Sequence, residues 1–202
     1  CVALAIFAAL AVGVPSAALH YYRTATGEQT AGVSCKSGSC TLSRGESPAM
    51  VLRGGDPARE VSEGWAVGTD ANARALLRFA DGATANLEPD TTVVLERMRR
   101  ARFGATDRAS AVAIAVPAPS AGATARLKVG AAWDSGAYVV RTPHAVLRLA
   151  PESHARLELD EAALRVVGIE GTTTIENAGR VVTIGALERG EARAGSPPWP
   201  PM

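Results

Sequence analysis

Chemistry in this chain of 202 residues would have to come from three histidines, three cysteines and scattered carboxylates. His20 follows an uncharged apolar run, His144 follows Pro143, and His154 closes the segment Pro151-Glu152-Ser153-His154. Glu, Ser and His side by side invite a hydrolase reading, which needs nucleophile and base within hydrogen-bond reach. Adjacent strand residues face opposite sides, so this trio cannot converge without a special loop. Asp81 and Asp90 have the neighbours of turn residues, and Glu88 and Glu96 flank strand-like runs. Calcium at Asp81 would call for an Asp-x-Asp cluster, and none is present. Cys35 and Cys40 lack further cysteines or a nearby histidine, so they supply too few ligands for zinc. None of the glycine-rich nucleotide motifs occurs. The expectation is a protein that is not an enzyme, with no catalytic residue, metal, cofactor or small-molecule substrate.

The elements that would position these residues are strands. In Trp65–Leu95, Ala75, Leu77 and Phe79 alternate with Leu76 and Arg78, the two-residue period of a strand with one buried face. Asp81-Gly82 follows, a strong hairpin signal that places both turn residues at positive φ. Ala83, Ala85 and Leu87 return, Pro89-Asp90 turns the chain again, and Thr92–Glu96 completes an expected three-stranded meander. Cys35 and Cys40 flank Lys36-Ser37-Gly38-Ser39, a spacing that predicts a hairpin. In register, that pair is within disulfide reach. A bridge in an oxidising compartment and two small buried hydrophobes are both open readings.

Further strand-like runs recur about every ten residues from Ala111 to Ile184, separated by Gly, Pro, Asn and Asp, the spacing of an all-β sandwich, roll or barrel. Of the residues, 47% are apolar but only 4% aromatic, so alanine and valine must fill the core. A net charge of +1 gives no reason to expect nucleic acid as a partner. Arg97-Met98-Arg99-Arg100-Ala101-Arg102 concentrates four arginines, read as a solvated turn or, alternatively, a site for phosphate or anionic lipid.

The first nineteen residues carry no charge, and His20-Tyr21-Tyr22-Arg23 ends them with interfacial and basic types. As a helix they would rise about 28 Å, close to the thickness of a bilayer core. The alternative is a secretory signal, since Ser16-Ala17-Ala18 offers small residues for cleavage. The expected organisation is a transmembrane anchor or truncated signal peptide over 1–22, a linker over 23–32, a β domain over 33–192, and a Pro-rich tail over 193–202. The tail, with Pro197-Pro198-Trp199-Pro200-Pro201, is expected to be extended and unfolded.

The order of several short motifs resembles the FecR domain of bacterial envelope proteins. These are Gly68-Thr69, then Ala73-Arg74-Ala75-Leu76-Leu77-Arg78-Phe79 and Ala80-Asp81-Gly82-Ala83-Thr84. Leu87-Glu88-Pro89-Asp90-Thr91, Val140-Arg141-Thr142-Pro143-His144-Ala145-Val146 and Gly168-Ile169-Glu170-Gly171 continue it, and Leu187–Glu191 resembles the closing strand. The resemblance covers about residues 60–192. Where that family usually has Gly-Thr-x-Phe, this chain reads Ala150-Pro151-Glu152-Ser153-His154-Ala155. The resemblance implies a β-sandwich or β-roll held outside a bacterial membrane, in the periplasm or at the cell surface. It also implies sensing or relaying through protein–protein contact, with sigma-factor regulation as the family's best-known use. The expected partner is an envelope protein or a cell-wall polymer. The alternative function is a non-catalytic envelope scaffold or carbohydrate-binding module, for which Trp65, Trp133, Tyr138 and Trp199 are the available aromatics.

Overall fold

The computed structural model describes residues 16, 19, 21, 26–101, 110–132 and 136–199. The span expected over residues 1–22 lies outside them apart from Ser16, Leu19 and Tyr21. Among the described residues no helix is long and apolar enough to cross a membrane, so the expected transmembrane helix has no support here.

The described residues form eighteen strands in two facing sheets. It begins with β1 (Thr26–Glu28), β2 (Ala31–Ser37), β3 (Ser39–Arg44), β4 (Met50–Arg53), β5 (Arg59–Val61) and β6 (Trp65–Thr69). Next come β7 (Arg74–Phe79), β8 (Thr84–Leu87), β9 (Thr92–Ala101), β10 (Ala111–Ala115), β11 (Ala125–Gly130) and β12 (Ala137–Arg141). Last are β13 (Val146–Leu149), β14 (His154–Leu159), β15 (Leu164–Glu170), β16 (Thr173–Asn177), β17 (Arg180–Ile184) and β18 (Arg189–Ala192). One sheet runs β17-β16-β13-β12-β10-β9-β6-β3-β4, with β1 beside β9. The other runs β18-β15-β14-β11-β8-β7-β2-β5. The chain therefore crosses between sheets every one or two strands while advancing steadily from one end of the sandwich to the other. All pairings are antiparallel except β10 with β12, which flank the crossing made by β11.

Two expectations change at these crossings. The Trp65–Leu95 stretch is not a meander in one sheet. β7 and β8 form the expected hairpin, but β9 crosses to the other sheet and pairs with β6. The hairpin turn also differs. Gly82 N donates to Phe79 O at 3.0 Å and Gly82 has φ 89°, whereas Asp81 is not among the positive-φ residues. This is a type I turn closed by a left-handed glycine, the usual three-residue alternative to the two-residue turn. Likewise β2 and β3 are not a hairpin. They lie in opposite sheets, β2 paired with β5 and β7, β3 with β4 and β6.

The core lies between the sheets and follows from the alternation in the sequence. Ala75/Leu77, Ala85/Leu87, Ala125/Leu127 and Ala155/Leu157 are buried on four neighbouring strands. Register sets Ala75 beside Leu87 and Leu77 beside Ala85, so large and small side chains interdigitate. Phe79 and Tyr138 meet edge to face at 5.9 Å, the largest side chains in this alanine-rich interior.

The expected linker and tail, where described, are tied into the fold. β1 falls in the expected linker and pairs with Arg99–Ala101, and Gln29 beside it is buried. Trp199 N donates to Glu191 O at 2.9 Å, and Asn177 Nδ2 donates to the carbonyls of Arg193 and Ser196. The tail is thus tied along β18 as far as Trp199. The arginine cluster is strand, not turn: Arg97, Arg99 and Arg100 belong to β9, and Arg99 pairs with Glu63 at 2.9 Å and Glu28 at 3.4 Å. Arg102 lies outside the described residues.

Candidate functional site

The motifs that carry the resemblance are corners of the sandwich. Thr69 Oγ1 donates to the carbonyl of Glu88 at 2.7 Å and accepts Thr91 N at 3.0 Å. Thr91 Oγ1 in turn joins Arg126, accepting its N–H at 2.9 Å. Gly68-Thr69 and Leu87–Thr91 therefore lock three crossings together, with Asp90 at φ 56° making the turn. Thr142 Oγ1 accepts Ala145 N at 3.0 Å and His144 N at 3.3 Å, folding the tight turn around Pro143. Gly171, at φ 67°, sits against Ser153, and Ser153 Oγ accepts Thr172 N at 2.8 Å. These threonines, which the sequence presents only as members of motifs, hold the corners through bonds to backbone. Their signal is a hydroxyl beside Gly or Pro at a strand end, where free backbone groups need partners.

Cys35 and Cys40 form a disulfide with Cα atoms 5.9 Å apart. Both are buried, and because β2 and β3 occupy different sheets the bond ties the two layers at one corner. The loop it closes is short, with a sequence separation of 5, so unfolded-chain entropy sets its contribution at about 2 kcal/mol. The double variant Cys35→Ser/Cys40→Ser is expected to melt about 6 °C lower in a thermal scan. Reductant should lower wild type equally and leave the variant unchanged.

Residues weighed for catalysis fall into two places. His144 is buried, and its Nε2 faces the carbonyl of Asp160 at 3.0 Å. A carbonyl only accepts, so Nε2 carries a proton, and Nδ1 has no hydrogen-bond partner among the described residues. Asp160 itself caps the next turn. Its carboxylate accepts the N–H groups of Ala163 and Ala162 and bonds Arg165 at 2.7 Å, which holds its pKa below the usual carboxylate range.

His154 lies elsewhere, at the start of β14 opposite Gly130. A side chain on Gly130 would collide with the imidazole, so the glycine makes room for the ring across β11. Around it, Asp81, Gly82, Thr84, Glu152 and Glu170 line a depression of about 530 Å³. Glu152 and His154 thus share one depression, while Ser153 between them turns inward and is fully buried. Alternation separates the Glu-Ser-His trio as expected. Asp81 Oδ1 accepts Ala83 N at 3.0 Å, a turn-forming bond. Among the described residues no group of three or more His, Cys, Asp or Glu is arranged to hold a metal ion. What the depression can do is present negative charge and one imidazole to solvent.

The aromatic platform for a sugar does not form among the described residues. Tyr138 is fully buried and Trp65 is packed against the core, which leaves Trp199 as a single exposed ring, 5.9 Å from the Arg193 guanidinium, while Trp133 lies outside the described residues.

Fold and site define an all-β, two-sheet domain whose distinctive residues are spent on corners. A comparison with protein-family models gives no match, and one with the curated proteins gives none either. Two crystal structures, at 1.65 and 2.50 Å resolution, of a "putative anti-sigma factor" from Parabacteroides distasonis ATCC 8503 are similar to this chain. Each has TM-score 0.48 and 12% identity, covering 63% of this chain and 54% of that one. This chain therefore spans about half the length of that protein, and a likeness at this level transfers no function.

Proposed function

We propose that this chain contains the extracytoplasmic β domain of a membrane-anchored, FecR-like envelope protein that senses or relays a signal through protein–protein contact, without catalysis. The observation that carries the reading is where the ordered motifs fall. Gly68-Thr69, Asp81-Gly82, Pro89–Thr91, Thr142–Ala145 and Gly168–Gly171 fall at crossings or turns of one zigzag, from its first half to its last strands. A disulfide at the β2–β3 crossing suits an oxidising compartment outside the cytoplasm. Sigma-factor regulation is the finer form of this proposal, and it rests on the resemblance alone.

The test uses Lys36 and Lys128, both exposed on the second sheet. A membrane-impermeant amine reagent should label them in cells with a permeabilised outer membrane, and a bifunctional version should capture an envelope protein. Labelling only after the inner membrane is broken would overturn the compartment. Capture of cell-wall polymer alone would overturn the relay and favour a scaffold.

A further inference from the structure

We propose that the free edge of β17 docks a second copy of this chain, strand against strand, giving a twofold dimer with a continuous sheet. The inference is independent of the relay reading and starts from the β16–β17 hairpin. Asn177 pairs with Arg180 across Ala178-Gly179, whose φ values of 49° and 73° mark a two-residue type I′ turn. In such a hairpin the residues flanking the turn form a hydrogen-bonded pair, and bonded pairs then alternate. Arg180, Val182 and Ile184 thus direct their backbone groups at β16. Val181 and Thr183 direct theirs away, toward an edge where no strand of the described residues lies.

The other sheet edges are closed or short. The tail lies along β18 through the Trp199–Glu191 bond, and β5 has only three residues. On β4, Asp56 covers Arg53 from both sides: its carboxylate accepts Arg53 N at 2.8 Å and its own N–H donates to Arg53 O at 3.0 Å. β17 has no proline, no lysine and no bulge, its one charge is Arg180 beside the turn, and Val181 is 61% exposed.

Charge selects the second copy as occupant. An antiparallel pairing centred on Val182 sets Val181 against Thr183 of the other copy and Val182 against itself. Arg180 then lies opposite the other Ile184, where that chain turns into Gly185. The carboxylate of Glu188 is held at that spot by Gly185 N, at 2.6 Å. Each Arg180, which makes no ion pair among the described residues, so meets a Glu188 of the other copy, twice by symmetry, and no like charges oppose one another.

The test is a cross-link in the full chain, solubilised in detergent, with Cys1→Ser removing the remaining thiol. Val182→Cys should give a disulfide-linked dimer under mild oxidation, because position 182 faces itself across the axis. Val51→Cys on the β4 edge should stay monomeric. Adding Val181→Lys, at an exposed position, should cut the Val182→Cys dimer at least about tenfold. In sedimentation, wild type should show twice the mass of Val181→Lys, a readout independent of how well Val182→Cys folds. Monomeric wild type, equal linking through position 51, or linking indifferent to Val181→Lys would each overturn the proposal.

Discussion

Gly168→Ala is expected to destabilise the domain by about 3 kcal/mol, lowering its melting temperature by about 9 °C. The position looks innocuous in the sequence, a glycine within a strand pattern. In the structure Gly168 faces inward on β15, beneath the connection that carries the chain from β17 back to β18. Its N–H donates to Glu188 O at 3.0 Å and its carbonyl accepts Leu187 N at 2.8 Å. A Cβ there would run into the carbonyl of Gly185, with Ile184 also in contact. The obstacle is backbone, not the tip of a flexible side chain, so the connection itself must move. Moving it breaks both bonds and shifts Ile184 out of the core. Gly27→Ala is the matched control: it lies in a strand, has no positive φ, and meets nothing within 4 Å. Its melting temperature should be near that of wild type. If the two variants melt alike, the close approach at Gly168 is not what holds this corner.

Local structure was legible in the sequence to the extent that two-residue periodicity decides it. Ala75–Phe79 and Ala155–Leu159 alternate cleanly because one face of each meets the other sheet, and both are strands with the expected faces buried. Which sheet a strand joins was not legible. Pro89-Asp90 and Gly38-Ser39 look like hairpin turns because the same residue types also make crossings between layers. Their destination is set by distant partners, Thr69 with Thr91 and Cys40 with Thr69 among them. The candidate site was legible only as separate residues. Glu152 and His154 share a side by their spacing, but Glu170 meets His154 from the far end of the β14–β15 hairpin and Asp81 comes from the β7–β8 turn. Nothing local announces that meeting. The free edge of β17 was hidden for the same reason, since an edge is defined by the strand that is missing beside it.

Above pH 10 the domain is expected to lose stability steeply, and Tyr138→Phe should remove that loss. The phenol of Tyr138 is buried against Phe79, and its O–H donates to Thr84 O at 3.1 Å. Burial, with the carboxylate of Asp81 adding to it, pushes the Tyr138 pKa far above the normal value. A phenolate would also lose the bond, since it has no proton to give the carbonyl. The unfolded chain releases this proton near pH 10, whereas the folded chain retains it. The folded state therefore binds more protons in that range, and stability must fall as pH rises. Below pH 10 both states hold the proton and the term is constant. Above it, each pH unit removes about 1.4 kcal/mol until the folded group titrates. Tyr138→Phe should be about 1 kcal/mol less stable at neutral pH, for want of the bond to Thr84. Near pH 12 wild type has given up about 2.7 kcal/mol through this residue, so the variant becomes the more stable of the two. Denaturant melts of both proteins from pH 7 to about pH 12 should cross near pH 11. Parallel curves would mean that Tyr138 ionises in the folded state as readily as in the unfolded chain.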